Sequence, residues 1–116
     1  MTEFEKQVYT LTQLVPKGKV TTYAEIAKQI KDINLCRAVG NALHKNPFPY
    51  LKKAEEYTSE ELKERIPCHR VVNSKGIMAS NFGLNGPSHQ AEMLLQEGVQ
   101  VVDGKVDLSK YLQVFK

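Results

Sequence analysis

A chain of 116 residues, 41% hydrophobic and 25% charged, has the composition of one folded domain with a modest core, not of a disordered tail. Its net charge of +3 allows a nucleic-acid partner without demanding one, and two cysteines make no disulfide framework. No secretory or membrane segment is visible, so an intracellular, reducing compartment is expected, cytoplasmic or, in a eukaryote, nuclear. His44, His69 and His89 are scattered without metal-ligand spacing, so no metal and no cofactor is expected.

Phe4, Val8, Leu11 and Leu14-Val15 recur at helical spacing from Thr2 onward, and Pro16 and Gly18 end that helix. A second helix follows over Tyr23 to Ile30, with Thr21 or Thr22 as N-cap and Glu25 three residues after Thr22 as the return half of a capping box. The polar run Lys31-Asp32-Ile33-Asn34 connects it to a third helix over Leu35 to Asn46. There Leu35, Val39, Ala42 and Leu43 share one face, while Arg37, Asn41 and Lys45 recur every four residues on another. Two short helices with small and basic residues on the second read as a helix-turn-helix; the alternative is an ordinary helix pair with a solvated basic stripe. Gly40 in mid-helix costs about 1 kcal/mol relative to alanine, which suggests close approach by another helix or by a DNA backbone.

Lys52 to Arg65 is a charged segment of mixed sign, with Thr58-Ser59-Glu60-Glu61 as a helix start; a solvated surface helix is expected there. After it comes Ile66-Pro67-Cys68-His69-Arg70-Val71-Val72, which carries the chemistry. A thiol is a strong nucleophile as the thiolate, and an imidazole and a guanidinium are its next two neighbours. Pro67 fixes its own φ and donates no hydrogen bond, so the chain is expected to turn or to start a strand at the cysteine. On an ideal strand Cys68 and His69 would point to opposite faces. Either the segment bends there, or a water joins thiol to imidazole. The bland reading of Cys68 is an inert buried thiol. Farther on, Ala91, Leu94 and Leu95 give a helix capped by Gly98. Asp103-Gly104 between Val99–Val102 and Lys105–Leu108 signals a hairpin, and Tyr111, Leu112, Val114 and Phe115 are expected to pack back as a helical turn.

Pro67-Cys68-His69-Arg70-Val71-Val72 resembles the acceptor motif of the O6-alkylguanine-DNA alkyltransferases, which move an alkyl group from guanine O6 onto their own cysteine, once and irreversibly. Lys19-Val20-Thr21-Thr22-Tyr23-Ala24-Glu25-Ile26-Ala27, Cys36-Arg37-Ala38-Val39-Gly40, Asn46-Pro47 and Glu97-Gly98-Val99 are similar to that family's other motifs, in the same order. The resemblance implies a mainly α domain with a small β element, a winged helix-turn-helix-like DNA-binding domain of the alkyltransferase C-terminal type, over residues 1–116. Within it the helix-turn-helix would span about 22–46, the inserted segment about 52–65 and the acceptor motif 66–72. The family's N-terminal domain has no counterpart in the sequence.

The resemblance also assigns roles. Cys68 is the acceptor, His69 its base through a water, Glu97 the group that orients the imidazole, and Asn46 part of the same hydrogen-bonded chain. His69 would favour the thiolate. Tyr23 crowds the target phosphate and offers its hydroxyl to the departing guanine. Arg37 is the finger that enters the base stack as the nucleotide flips out. Ala24, Ala38, Asn41, Lys45, Arg70 and Ser74 complete the implied DNA contacts, with Ser74 where the substrate loop begins. The partner is double-stranded DNA containing O6-alkylguanine; a monomer in solution and no membrane are expected, with clustering along DNA left open.

Two departures stand out: the 52–65 insertion, and residues 78–88, where Asn81-Phe82 and Gly83-Leu84-Asn85-Gly86-Pro87 differ from the family's glycine-rich pocket loop. Rival readings are an alkyltransferase-like protein, a class that binds the lesion without transfer and usually has tryptophan in place of the cysteine, and a helix-turn-helix regulator with a redox cysteine. Cys68 argues against the first.

Overall fold

Thr2 starts the first helix with a complete capping box: its hydroxyl accepts from Glu5 N, and the Glu5 carboxylate accepts from Thr2 N. This begins a computed structural model that describes residues 2–30, 35–79 and 86–115. Helix α1 (Glu3–Gln13) is followed by strand β1 (Thr21–Thr22), α2 (Tyr23–Gln29), α3 (Cys36–His44), α4 (Ser59–Glu64), β2 (Val71–Val72), α5 (Pro87–Gln96), β3 (Val101–Val102), β4 (Lys105–Val106) and α6 (Leu108–Tyr111). Single 3-10 turns cover Ala54–Glu56 and Cys68–Arg70.

The helices form where local signals place them, with small differences. Thr22 caps α2 by accepting from Glu25 N at 3.1 Å, but the Glu25 carboxylate turns to Lys28, so only half of the expected capping box is made. The linker at 31–34 lies outside the described residues. Helix α5 ends in a Schellman motif: Gly98, at φ +90°, donates to Leu95 O, and Val99 donates to Leu94 O. Asp103 and Gly104 both have positive φ, giving the tight turn between β3 and β4. The expected C-terminal turn lies earlier, over Leu108–Tyr111, because Asp107 caps it; Leu112 instead bridges Val20, and Phe115 packs on the first core.

Strand β1 pairs in parallel with β2, Thr21 opposite Val71 and Thr22 opposite Val72. Because successive strand residues face opposite ways, this short pair divides the core. Val71 joins Val8, Tyr9, Ile26, Ala27, Val39 and Leu43 beneath α1–α3, whereas Val72 joins Val20, Met78, Leu94, Val99 and Val106 beneath α5 and the hairpin. The acceptor motif therefore sits at the seam between the helical half and the hairpin half.

The 52–65 insertion is closed at its base. Ile66 N donates to Phe48 O at 2.8 Å, and Asn46 Nδ2 donates to Ile66 O at 2.8 Å. Helix α4 buries no residue, as a solvated helix should, but the segment is not adrift. Tyr57 is buried, Gln13 Nε2 donates to Lys63 O and Arg65 O, and Lys17 pairs with Glu55.

Candidate active site

Pro67, at φ −80° and ψ 66°, sits at the centre of an inverse γ-turn in which Cys68 N donates to Ile66 O at 2.8 Å. A 3-10 turn follows at once, with Arg70 N donating to Pro67 O, and strand β2 begins only at Val71. The segment is thus bent at the cysteine, and the strand objection to Cys68 and His69 sharing a site falls away. Cys68 is half-buried and packs against the first core, with Tyr23 near its sulfur.

Behind it lies a buried cluster of charge. His69, 1% exposed, places Nε2 3.0 Å from Glu97 Oε1. Arg70 grips the same carboxylate with both arms, Nε to Oε1 at 2.9 Å and a terminal nitrogen to Oε2 at 2.6 Å, and donates its other terminal nitrogen to Val15 O. Burial alone would raise the Glu97 carboxyl; the hydrogen bonds from Arg70 and His69 outweigh it and hold it at about 2. Burial lowers the His69 imidazole despite the Glu97 hydrogen bond, so a neutral ring with its proton on Nε2 is favoured. Nδ1 then carries a lone pair and has no hydrogen-bond partner among the described residues, which leaves it able to accept a proton.

The thiol itself is pushed up by burial, partly offset by a hydrogen bond from the Asn46 side chain. The expected resting thiolate is therefore corrected: desolvation outweighs the hydrogen bonds from Asn46 and the backbone, and Cys68 rests as a thiol. Asn46 stays close by accepting from Phe48 N and donating to Ile66 O. Tyr23, at the start of α2, has its phenol raised by burial and, secondarily, by the nearby sulfur.

A profile described as the DNA-binding domain of 6-O-methylguanine DNA methyltransferase matches residues 3–99. The chain belongs to this family. It is 40% identical over 97 residues to a methylated-DNA–protein-cysteine methyltransferase of Thermococcus sibiricus, covering 83% of this chain and 43% of that protein. It is 30% identical to alkyltransferase-like protein 1 of Schizosaccharomyces pombe, covering 97% of this chain and 95% of that one. The crystal structure of the S. pombe protein with damaged DNA containing O6-carboxymethylguanine superposes with a TM-score of 0.72 over 97% of this chain and 96% of that one. The mainly helical fold with two small sheets is that of the alkyltransferase C-terminal domain. The chain spans less than half the length of the archaeal methyltransferases it matches.

Within this alkyltransferase fold, the two groups of implied site residues part company. Cys68, His69, Glu97, Asn46 and Tyr23 converge around the acceptor turn. Arg37 is exposed in the first turn of α3, Asn41 and Lys45 are exposed farther along, and Ala24 and Ala38 are half-buried at the starts of α2 and α3. Lys45 Nζ pairs with Glu5 at 3.1 Å. Ser74 is exposed in a turn whose Gly76 O accepts from Val106 N; a Cβ at Gly76 would collide with the Val106 carbonyl.

Arg70 is corrected. Expected at DNA, it is 4% exposed, and Glu97 and Val15 O occupy its guanidinium, because a carboxylate buried beside the acceptor needs a cation. Two residues were missed. Gln90 is fully buried, donates to both His69 O and Val71 O, and accepts from Ala79 N, pinning the acceptor turn to α5. Tyr50 packs on the His69 ring. Neither belongs to a motif, although a glutamine amid helical apolar residues was a legible signal.

A cavity of about 450 Å³ lies between the insertion and α5, with His69 and Glu97 among its walls. Neither Cys68 nor Tyr23 lines it, so it is distinct from the sulfur's own surroundings. The divergent loop expected to close the alkyl pocket lies outside the described residues over 80–85; its end, Gly86 and Pro87, forms the N-cap and first residue of α5. Among the described residues no helix is long and apolar enough to cross a membrane, and no cluster of three or more His, Cys, Asp or Glu residues could hold a metal.

Proposed function

We propose that this protein repairs DNA by transferring the alkyl group of O6-alkylguanine to Cys68, a reaction each molecule performs once. The observation that carries the reading is an acceptor turn in which the partly buried Cys68 is followed directly by a buried, neutral imidazole whose Nε2 is paired with a carboxylate. The target carbon lies inside the duplex, so the nucleotide must flip out, at a few kcal/mol, least for a damaged pair. Exposed Arg37 fills the gap, while Asn41 and Lys45 meet the backbone. Ala24, Ala38 and Ser74 provide further contacts. Gly40 agrees with close approach by DNA: a Cβ there would sit 4.0 Å from the Tyr23 ring, so internal packing does not require glycine.

His69 Nδ1 takes the thiol proton, directly or through one water, and Glu97 balances the imidazolium that forms. Sulfur attacks the alkyl carbon as the carbon–O6 bond breaks, and the electron pair leaves on the guanine. Tyr23 donates a proton to that purine and is recharged from the imidazolium. The sum is simple: a thioether on Cys68, and a guanine carrying the proton the thiol lost. Because the thiol rests protonated, the thiolate forms only as the base acts, which keeps the sulfur inert until a lesion arrives.

A second reading has its own support. The match to alkyltransferase-like protein 1 covers nearly the whole of both chains, and such a protein would bind the lesion without transfer. One experiment separates the two. The protein is incubated with duplex DNA containing O6-methylguanine, and the peptide bearing Cys68 is weighed. A gain of one methyl group, absent in Cys68→Ala, is expected; tight binding with no gain would establish the second reading.

A further inference from the structure

We propose that Tyr50, backed by Tyr57, is a positioning residue for the His69 imidazole, and that the 52–65 insertion serves to hold it there. The proposal rests on the reading that His69 is the base. Only one edge of that ring is fixed by a hydrogen bond, through Nε2 to Glu97, while Nδ1 has no partner among the described residues. The ring of Tyr50 supplies a second restraint. Its centroid stands 5.2 Å from that of His69 at 58°, and the Arg70 guanidinium carbon lies 5.3 Å from the same tyrosine ring. A single aromatic ring thus touches two of the three members of the buried charge cluster.

Tyr50 is in turn held by the insertion. Tyr57 meets it edge-on at 5.5 Å and 67°. The Tyr57 hydroxyl accepts from Leu51 N at 2.8 Å, and Lys52 Nζ and the Arg65 guanidinium lie 4.7 and 5.3 Å from its ring centre. Lys52 and Arg65 are the two ends of the inserted segment, so its closure and the seating of Tyr57 are one event. A merely solvated loop would need neither a buried tyrosine nor two cations on its ring.

Removing the ring should therefore act on His69 electrostatically. The groups facing the imidazole are Glu97 and His89 from α5 and its end, Arg70 from its own turn, and Tyr50 from the segment just before the insertion. Taking away only Tyr50 would widen the adjacent cavity over the ring and admit water, relieving the burial that lowers its basicity. The test is an NMR titration of the His69 ring in the full chain, with transfer from O6-methylguanine DNA measured across the same pH range.

For Tyr50→Ala the His69 midpoint should rise by roughly half to one pH unit, and the pH below which transfer fails should rise with it. Tyr50→Phe should restore both, and Tyr57→Ala should shift both in the same direction by less. A folded Tyr50→Ala or Tyr57→Ala with an unmoved midpoint and an unmoved acid limb would overturn the proposal. Should the natural protein transfer nothing, the transfer reading fails, and the titration midpoint alone still decides the role of Tyr50.

Discussion

Two arginines set the contrast between the halves of the site. Arg70 is 4% exposed, and Glu97 and a backbone carbonyl take up its guanidinium; Arg37 stands in the first turn of α3 and faces solvent. Beside Cys68 the charges of His69, Arg70 and Glu97 are fixed by one another, which suits the proposed base and its carboxylate, whose geometry must hold in a place that water would blur. Along α3, Arg37 and Asn41 are exposed and Lys45 makes a surface pair with Glu5, an arrangement that suits the proposed docking of a polyanion from solution. If this division is real, mutations in the first group should damage folding and chemistry together. Those in the second should damage recognition alone.

The largest effect is expected from Arg70→Ala. It leaves the Glu97 carboxylate buried with only His69, and removing one partner of such a pair costs about 3–5 kcal/mol. Urea denaturation measures it; a loss below about 1 kcal/mol would mean the cluster is not the rigid half. Acid probes the same cluster without mutation. Glu97 has its folded value depressed from 4.5 to about 2, so its contribution is complete above 4.5 and is lost as pH falls towards 2. It amounts to at most about 3 kcal/mol at 1.36 kcal/mol per pH unit. His69 is also depressed, so stability already declines as pH drops below the ordinary imidazole value of 6.5, where the unfolded ring gains its proton first. Denaturation at pH 7, 5 and 3 should show a monotonic fall, and a flat profile would contradict the hydrogen-bonded assignment of Glu97.

Gln90→Ala comes next. It strips partners from His69 O, Val71 O and Ala79 N inside the protein, for about 2–3 kcal/mol, and should slow transfer because the acceptor turn loosens. Transfer at full speed in a destabilised but folded variant would show that Gln90 braces the fold and not the site.

Which of these residues the sequence revealed follows a physical rule. The Gly98 cap, the Asp103-Gly104 turn and the Thr58 capping box were legible because each is complete within a few residues. Strand β1 was not, since two threonines become a strand only when Val71 and Val72 return beside them. The inward turn of Arg70, the Gln90 clamp and the contact of Tyr50 on His69 join distant parts of the chain. In the sequence alone Arg70 looked like the other basic residues; its burial depends on Glu97, which 26 intervening residues separate from it (|i−j| = 27).

On the outer face the expectations are gentler for folding and sharper for function. Arg37→Ala should change stability by no more than about 0.5 kcal/mol. Repair of duplex DNA should slow by roughly tenfold or more, since forfeiting about 1.4 kcal/mol of help with a flip that costs a few is already a factor of ten. Alkylated free base needs no flipping, so its reaction should be far less affected. Equal losses on both substrates would place Arg37 in the chemistry and erase the division.

The smallest effect is the most specific to this chain. Lys45 pairs with Glu5, yet the same carboxylate caps α1 by accepting from Thr2 N. Glu5→Gln separates the two roles: a glutamine oxygen can still serve the cap, but it no longer competes with phosphate for the ammonium. Stability should hold within about 0.5 kcal/mol, because the Lys45 side chain is 66% exposed and such pairs contribute little. DNA binding should tighten about two- to threefold at low salt and converge with the natural protein at high salt, where screening removes the difference. Lys45→Ala should do the opposite and flatten the dependence of log affinity on log salt by about one unit of slope. If neither variant moves that slope, Lys45 belongs to α1 and α3 alone, and the recognition surface narrows to the region around Arg37 and Asn41.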